Sequence, residues 1–111
     1  VTLMASGGVR SAYDVAKAIA LGADGAILGT AELVALGCIR VASCEKGLGC
    51  PFGITTTDPE QAKKIDADVG YQQIVNLYTS WLWQLAGILQ TLGMRAISEL
   101  KGRSDLLVYL D

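Results

Sequence analysis

The chain has 111 residues, 51% hydrophobic and 18% charged, and its nine Lys or Arg against eleven Asp or Glu leave a net charge of −2. That hydrophobicity excludes intrinsic disorder, and without a basic excess the chain is not expected to bind nucleic acid. With no histidine present, neither a Ser-His nor a Cys-His catalytic pair can be built from these residues.

At this length the chain makes at most one domain. Its mean hydropathy of +0.39 suits a segment whose apolar surface is covered by further polypeptide. It opens on Val1 rather than methionine, as expected of a piece cut from something longer. Three cysteines exclude a fully paired disulfide framework. No secretory leader pattern opens the chain, so the expected location is cytoplasmic. Val69 to Met94 carries no charge and is long enough to cross a bilayer. Polar residues interrupt it, from Gln72 to Thr91, and Trp81 and Trp83 sit in its middle rather than at its ends. A buried helix, with no membrane partner, is the better expectation.

Val1 to Ala5 is a short apolar run ending at Ser6-Gly7-Gly8, as for a strand buried on both faces of a parallel sheet. Ser11 can cap a helix, with Asp14 as the acid of a capping box. Val15, Ala16, Ile19 and Ala20 share one face, and Gly22 is placed to end that helix. A second strand, Gly25 to Leu28, stops at Gly29-Thr30, and a second helix, Ala31 to Leu36, stops at Gly37. The order βαβα is that of a parallel sheet with crossover helices. Residues 38–58 are irregular and carry all the cysteines. Asp58-Pro59-Glu60 marks a helix start. A longer helix runs from about Tyr71 to Leu92 with a stripe of Ile74, Tyr78, Trp81, Leu85, Leu89 and Leu92, and Gly93 ends it. Ser98 to Leu100 makes a further turn before Gly102.

Glycines directly after a strand let backbone N–H groups approach a ligand, and the helix N-terminus behind them favours a phosphate. Gly7-Gly8 and Gly29-Thr30 hold equivalent places in consecutive units, and Arg10 and Thr30 can add a cation and a hydroxyl. Ordinary turn glycine is the plain alternative. Barrels of eight βα units frequently bind phosphate in the loops after strands seven and eight. Cys38, Cys44 and Cys50 are spaced with five residues in each gap. Thiolates suit iron–sulfur clusters and zinc, but structural zinc wants four ligands. Three thiolates match a cluster with three ligated irons, or a four-iron cluster with one iron held otherwise. Incidental cysteines are the competing reading.

The strings Gly37-Cys38-Ile39-Arg40-Val41-Ala42-Ser43-Cys44 and Cys50-Pro51-Phe52-Gly53-Ile54-Thr55-Thr56-Thr57-Asp58-Pro59 resemble the synthase domain of the glutamate synthase large subunit. That family carries a three-cysteine loop followed by C-P-x-G-[IV]-[AT]-T-Q-D-P. Ser6 to Arg10 and Gly22 to Ala31 resemble its last two barrel strands with their FMN-phosphate loops, and Leu92 to Leu107 resembles the stretch that closes the domain. The second cysteine gap is one residue longer than the family spacing, Thr57 stands where glutamine is usual, and the helix around Ser80 to Trp83 is more apolar. The glycine loops alone also fit other FMN barrels, such as inosine monophosphate dehydrogenase.

The resemblance implies an α/β fold. Residues 1–37 would be the last two βα units of a TIM-type (β/α)8 barrel, 38–58 an iron–sulfur loop and 59–111 a helical extension. It implies FMN held by Gly7, Gly8, Arg10, Gly29 and Thr30, and a [3Fe-4S] cluster on Cys38, Cys44 and Cys50. The reaction implied forms L-glutamate from 2-oxoglutarate and glutamine-derived ammonia. Electrons come from ferredoxin or an NADPH-dependent subunit, and the rest of the barrel and a glutaminase domain are the partners. No catalytic residue is expected within this chain. A non-catalytic fragment and a small iron–sulfur electron-transfer module are the rival readings.

Overall fold

The computed structural model describes residues 1–110. Its elements are β1 (Met4–Ser6), α1 (Ala12–Ala20), β2 (Gly25–Ile27), α2 (Thr30–Ala35), α3 (Pro59–Ala62) and α4 (Ala67–Thr91), followed by 3-10 turns at Ile97–Glu99 and Ser104–Leu106. The chain divides into two compact units, one of Val1–Gly29 with the chain from Thr79 onward and one of Thr30–Tyr78.

In the first unit β1 and β2 pair in parallel, with Met4 opposite Gly25, Ala5 opposite Ala26 and Ser6 opposite Ile27. The crossover helix α1 starts where the sequence predicts. Ser11 is its extended N-cap, its hydroxyl oxygen accepts the Asp14 N–H at 3.4 Å, and Asp14 Oδ2 accepts the Arg10 N–H at 2.9 Å. Gly22, at φ 113°, ends the helix by donating to the Ile19 carbonyl at 2.9 Å, a left-handed turn in which a Cβ is strained.

Ala16, Ile19 and Ala20 of α1 form the core with Leu100, against Leu85, Ile88 and Leu89 of α4 and Leu106 and Leu107 of the tail. Leu100 is only 2% exposed. The tail is pinned at two further points. The Gly102 N–H donates to the Ile19 carbonyl at 3.0 Å, and the Lys101 ammonium pairs with the Asp24 carboxylate. Asp24 in turn accepts the Leu3 N–H at 2.7 Å and donates its own N–H to the Leu3 carbonyl at 2.7 Å.

In the second unit α2 ends with the Cys38 N–H on the Leu33 carbonyl, and no helix or strand follows until Pro59. Asp58 caps α3, accepting the Glu60 N–H at 2.9 Å, with Pro59 in the first turn. Asp66 accepts the N–H groups of Asp68 and Val69. That cap starts α4 at Ala67, ahead of the Tyr71 expected from the apolar stripe. Gly70 is buried against Leu36, where a Cβ would lie 3.3 Å from the leucine. The Tyr78 hydroxyl donates to Glu32 of α2.

Two expectations need correcting. The strands are not buried on both faces: Leu3, Met4 and Ile27 are exposed, because a sheet of two strands has no neighbours to cover them. Nor is α4 a buried helix, since only Gly70 is buried and Leu82 and Trp83 are 66% and 77% exposed. Its stripe is half-buried from Trp81 through Leu89, the side that meets the core. Among the described residues no helix is long and apolar enough to cross a membrane.

Candidate functional site

Parallel pairing carries both strands in one direction, so the glycine loops that follow them leave the sheet at the same edge. Gly7 and Gly8 follow Ser6 in consecutive left-handed conformations, φ 89° and 70°. Glycine adopts such conformations without the steric cost that a Cβ would bring. Nothing lies within 4 Å of where a Cβ would stand at Gly7, Gly8 or Gly29, so that edge is open. Arg10 is exposed two residues on, its backbone N–H held by Asp14. Gly29 closes the first unit, and Thr30, next in the chain, opens α2. The first unit also contains an apolar cavity of about 620 Å³, lined among others by Ala16, Lys17, Gly87, Ile88 and Leu107. None of the glycine-loop residues borders it.

The cysteine loop lies in the second unit. Arg40 and Ala42 hold φ values of 61° and 60° without being glycine, a conformation that costs about 1–2 kcal/mol for each residue. Holding Arg40 this way turns its N–H onto the Cys38 sulfur at 3.4 Å. Cys38 is half-buried, Cys44 exposed and Cys50 buried.

The Cys50 thiol is pulled from its ordinary value of 9.0 down to about 7. The Thr55 backbone N–H facing the sulfur is the largest cause, burial opposes it, and the N–H groups of Phe52 and Ile54 and the Thr55 hydroxyl add to the lowering. Hydrogen bonds to the charged form explain the direction. Sequence reading missed these donors. The signal available for them was Gly53, whose left-handed φ of 75° folds the chain back after Cys50.

The turn itself is tightly seated. The Gly53 N–H donates to the Cys50 carbonyl at 3.2 Å. A Cβ at Gly53 would fall 2.2 Å from the backbone oxygen of Gln61 in α3. Lys64 Nζ donates to the Pro51 carbonyl at 3.0 Å. The expected convergence of Cys38, Cys44 and Cys50 is not reached in this arrangement: among the described residues no three His, Cys, Asp or Glu side chains are grouped so as to hold a metal ion. The donor chemistry still fits a thiolate-ligated cluster, because the Cys38 sulfur already accepts a backbone N–H, a known lever on such clusters, and the Cys50 thiol is biased toward its charged form.

Residues 1–95 match the family described as the conserved region in glutamate synthase. The chain is 43% identical over 107 residues to the archaeal glutamate synthase [NADPH] of Methanocaldococcus jannaschii, covering 96% of this chain and 21% of that protein. Against the glutamate synthase [NADH] of Schizosaccharomyces pombe the identity is 40%, over 96% of this chain and 5% of the relative. The glutamate synthase [NADPH] large chain of Azospirillum brasilense is 38% identical, over 96% of this chain and 7% of its own length. The chain thus spans about one fifth of the archaeal relative it matches and far less of the other two.

Proposed function

The chain belongs to the glutamate synthase family, and from that premise we propose that it supplies one wall of the FMN site and the cluster loop of a glutamate-forming oxidoreductase. Its two βα units are read as the last two of a (β/α)8 barrel, whose remaining strands and whose glutaminase domain come from further polypeptide. The parallel register, which sends both glycine loops off one edge, is the observation that carries this reading. Phosphate sites of such barrels lie at that edge, in the loops after the last strands.

In this reading Gly7 and Gly8 offer their N–H groups to the FMN phosphate, Gly29 keeps its approach open, and Arg10 and Thr30 contribute a cation and a hydroxyl. Cys38, Cys44 and Cys50 hold a [3Fe-4S] cluster once the loop between Cys38 and Cys50 closes. When bound, the two cofactors supply the hydride and electron chemistry that converts 2-oxoglutarate and glutamine-derived ammonia to L-glutamate. This chain's own part is to bind and orient them, and it offers no proton-transferring histidine of its own. The names of the archaeal and bacterial relatives favour NADPH as the source of electrons over ferredoxin. Cytoplasmic location goes with this reading.

The test uses the natural polypeptide that carries these residues, purified without oxygen. Released flavin, iron content and glutamine-dependent NADPH oxidation with 2-oxoglutarate are measured together. Gly8→Val places a β-branched side chain at a left-handed position in the loop, and should strip the flavin while leaving iron in place. A parent protein with neither flavin nor iron sinks the proposal.

A further inference from the structure

The three cysteines differ in how they are held. Cys38 depends on a strained loop and Cys44 is exposed, whereas the turn that carries Cys50 is fastened from outside itself, at two points, by the end of α3 and the turn that follows it. At the first point Gly53 lies against the Gln61 carbonyl, leaving no space for even a methyl group. That same carbonyl accepts the Lys64 N–H at 3.1 Å, so it is fixed by the helix end and cannot swing aside freely. At the second point the Lys64 ammonium reaches back to the Pro51 carbonyl. The Asp58 cap and Pro59 fix where α3 begins, and therefore where its last carbonyls point.

We infer that Gly53 and Lys64 are positioning residues for Cys50, and that α3 is the clamp that presents this thiolate while the other two ligands close upon it. The inference rests on the cluster reading above for its purpose, though not for its geometry. It gives the order of assembly a physical basis. A metal site rarely exists complete before binding, and here one ligand is seated in advance and two are left to adjust.

The experiment labels the anaerobic, chelator-treated natural polypeptide with iodoacetamide and follows each cysteine by peptide mass spectrometry. The labelling is run in strongly alkaline buffer, so that exposure and not ionisation governs the rates. Lys64→Met should raise the Cys50 rate roughly threefold through loss of a charge-assisted hydrogen bond, with Cys38 and Cys44 unchanged. Lys64→Arg, which keeps a cation able to reach the Pro51 carbonyl, should restore the parental rate. Gly53→Ala should raise the Cys50 rate about tenfold or more, because a left-handed position gains a colliding methyl group. If that variant fails to fold, the Lys64 pair decides alone.

Iron content of the reconstituted proteins is the second readout, and it should fall in Lys64→Met and recover in Lys64→Arg. Unchanged Cys50 labelling in Lys64→Met overturns the inference. So does equal acceleration of all three cysteines, which would make the contact a general prop. A parent that takes up no iron overturns the cluster reading while the labelling still decides the clamp.

Discussion

The two units hold their loops by different means. In Val1–Gly29 with the chain from Thr79, the glycine loops extend from paired strands, and α1 is packed through Ala16, Ile19 and Ala20 onto Leu100 and α4. In Thr30–Tyr78 the buried residues are Cys50, Gly53 and Gly70, and the cysteine loop keeps its shape through caps, left-handed residues and single backbone contacts. On the proposed function, a rigid frame would suit a phosphate cradle, whose N–H groups must already point the right way. On the same reading, a loop held at a few points would suit ligands that gather around a cluster, since binding can supply the ordering free energy.

Leu100→Ala is the strongest way to break this contrast. It empties the centre of the first unit and should cost about 2–4 kcal/mol, read by chemical denaturation. Hydrogen exchange should place the loss in α1 and the tail and spare residues 38–64, and equal loss in both units would refute the division. Removing the α3 cap with Asp58→Ala should cost about 1 kcal/mol. The effect should appear as faster exchange of the Glu60 to Lys63 amides, with α1 untouched.

Ala42→Gly sharpens the comparison from the other direction. Relief of the left-handed strain, less the extra freedom of an unfolded glycine, should leave a gain of about 0.5–1 kcal/mol. A loss in thermal denaturation would mean that the Ala42 methyl group makes a contact worth more than the strain.

The smallest effect concerns acid. The Leu3 N–H and then the Lys101 ammonium hold the Asp24 carboxyl below its ordinary value of 3.8. The folded group therefore binds its proton less readily than the unfolded one. Its contribution is present at neutral pH and fades as the pH falls below the ordinary carboxylate value toward the lowered one. Asp24→Asn keeps an acceptor for Leu3 but cannot titrate, so the acid limb of a stability–pH curve should be shallower. An unchanged limb would show that the exposed pair contributes nothing measurable, as many do.

Local chemistry was the legible part of this sequence. Ser11, Asp58-Pro59, Gly22, Gly37 and Gly93 mark helix ends through their own side chains or lack of them, and each stands at or beside the helix end it signals. The order of the two βα units follows from the same marks. The start of α4 was missed because Asp66 caps it from within a charged stretch, while the apolar stripe begins only later. The high hydropathy signalled apolar surface in want of cover, but it did not say which faces of β1, β2 and α4 would be left exposed. The seat of Gly53 on Gln61 was illegible for a related reason, being a backbone contact between segments that share no pattern. Equal spacing named the three cysteines as a set, yet spacing along a chain does not fix where their sulfurs lie.

The hold of Lys101 on Asp24 spans 77 positions of sequence. During synthesis β1, α1 and β2 leave the ribosome long before the residue that completes their core. Until Leu100 arrives, Ile19 and Ala20 have no partner from the tail. Such long-range closure makes folding slow and leaves apolar surface open in the interval. Within these residues the earlier-made segment thus waits for the later one to complete its core, and it is the period of waiting, more than the finished state, that exposes it to proteolysis and aggregation.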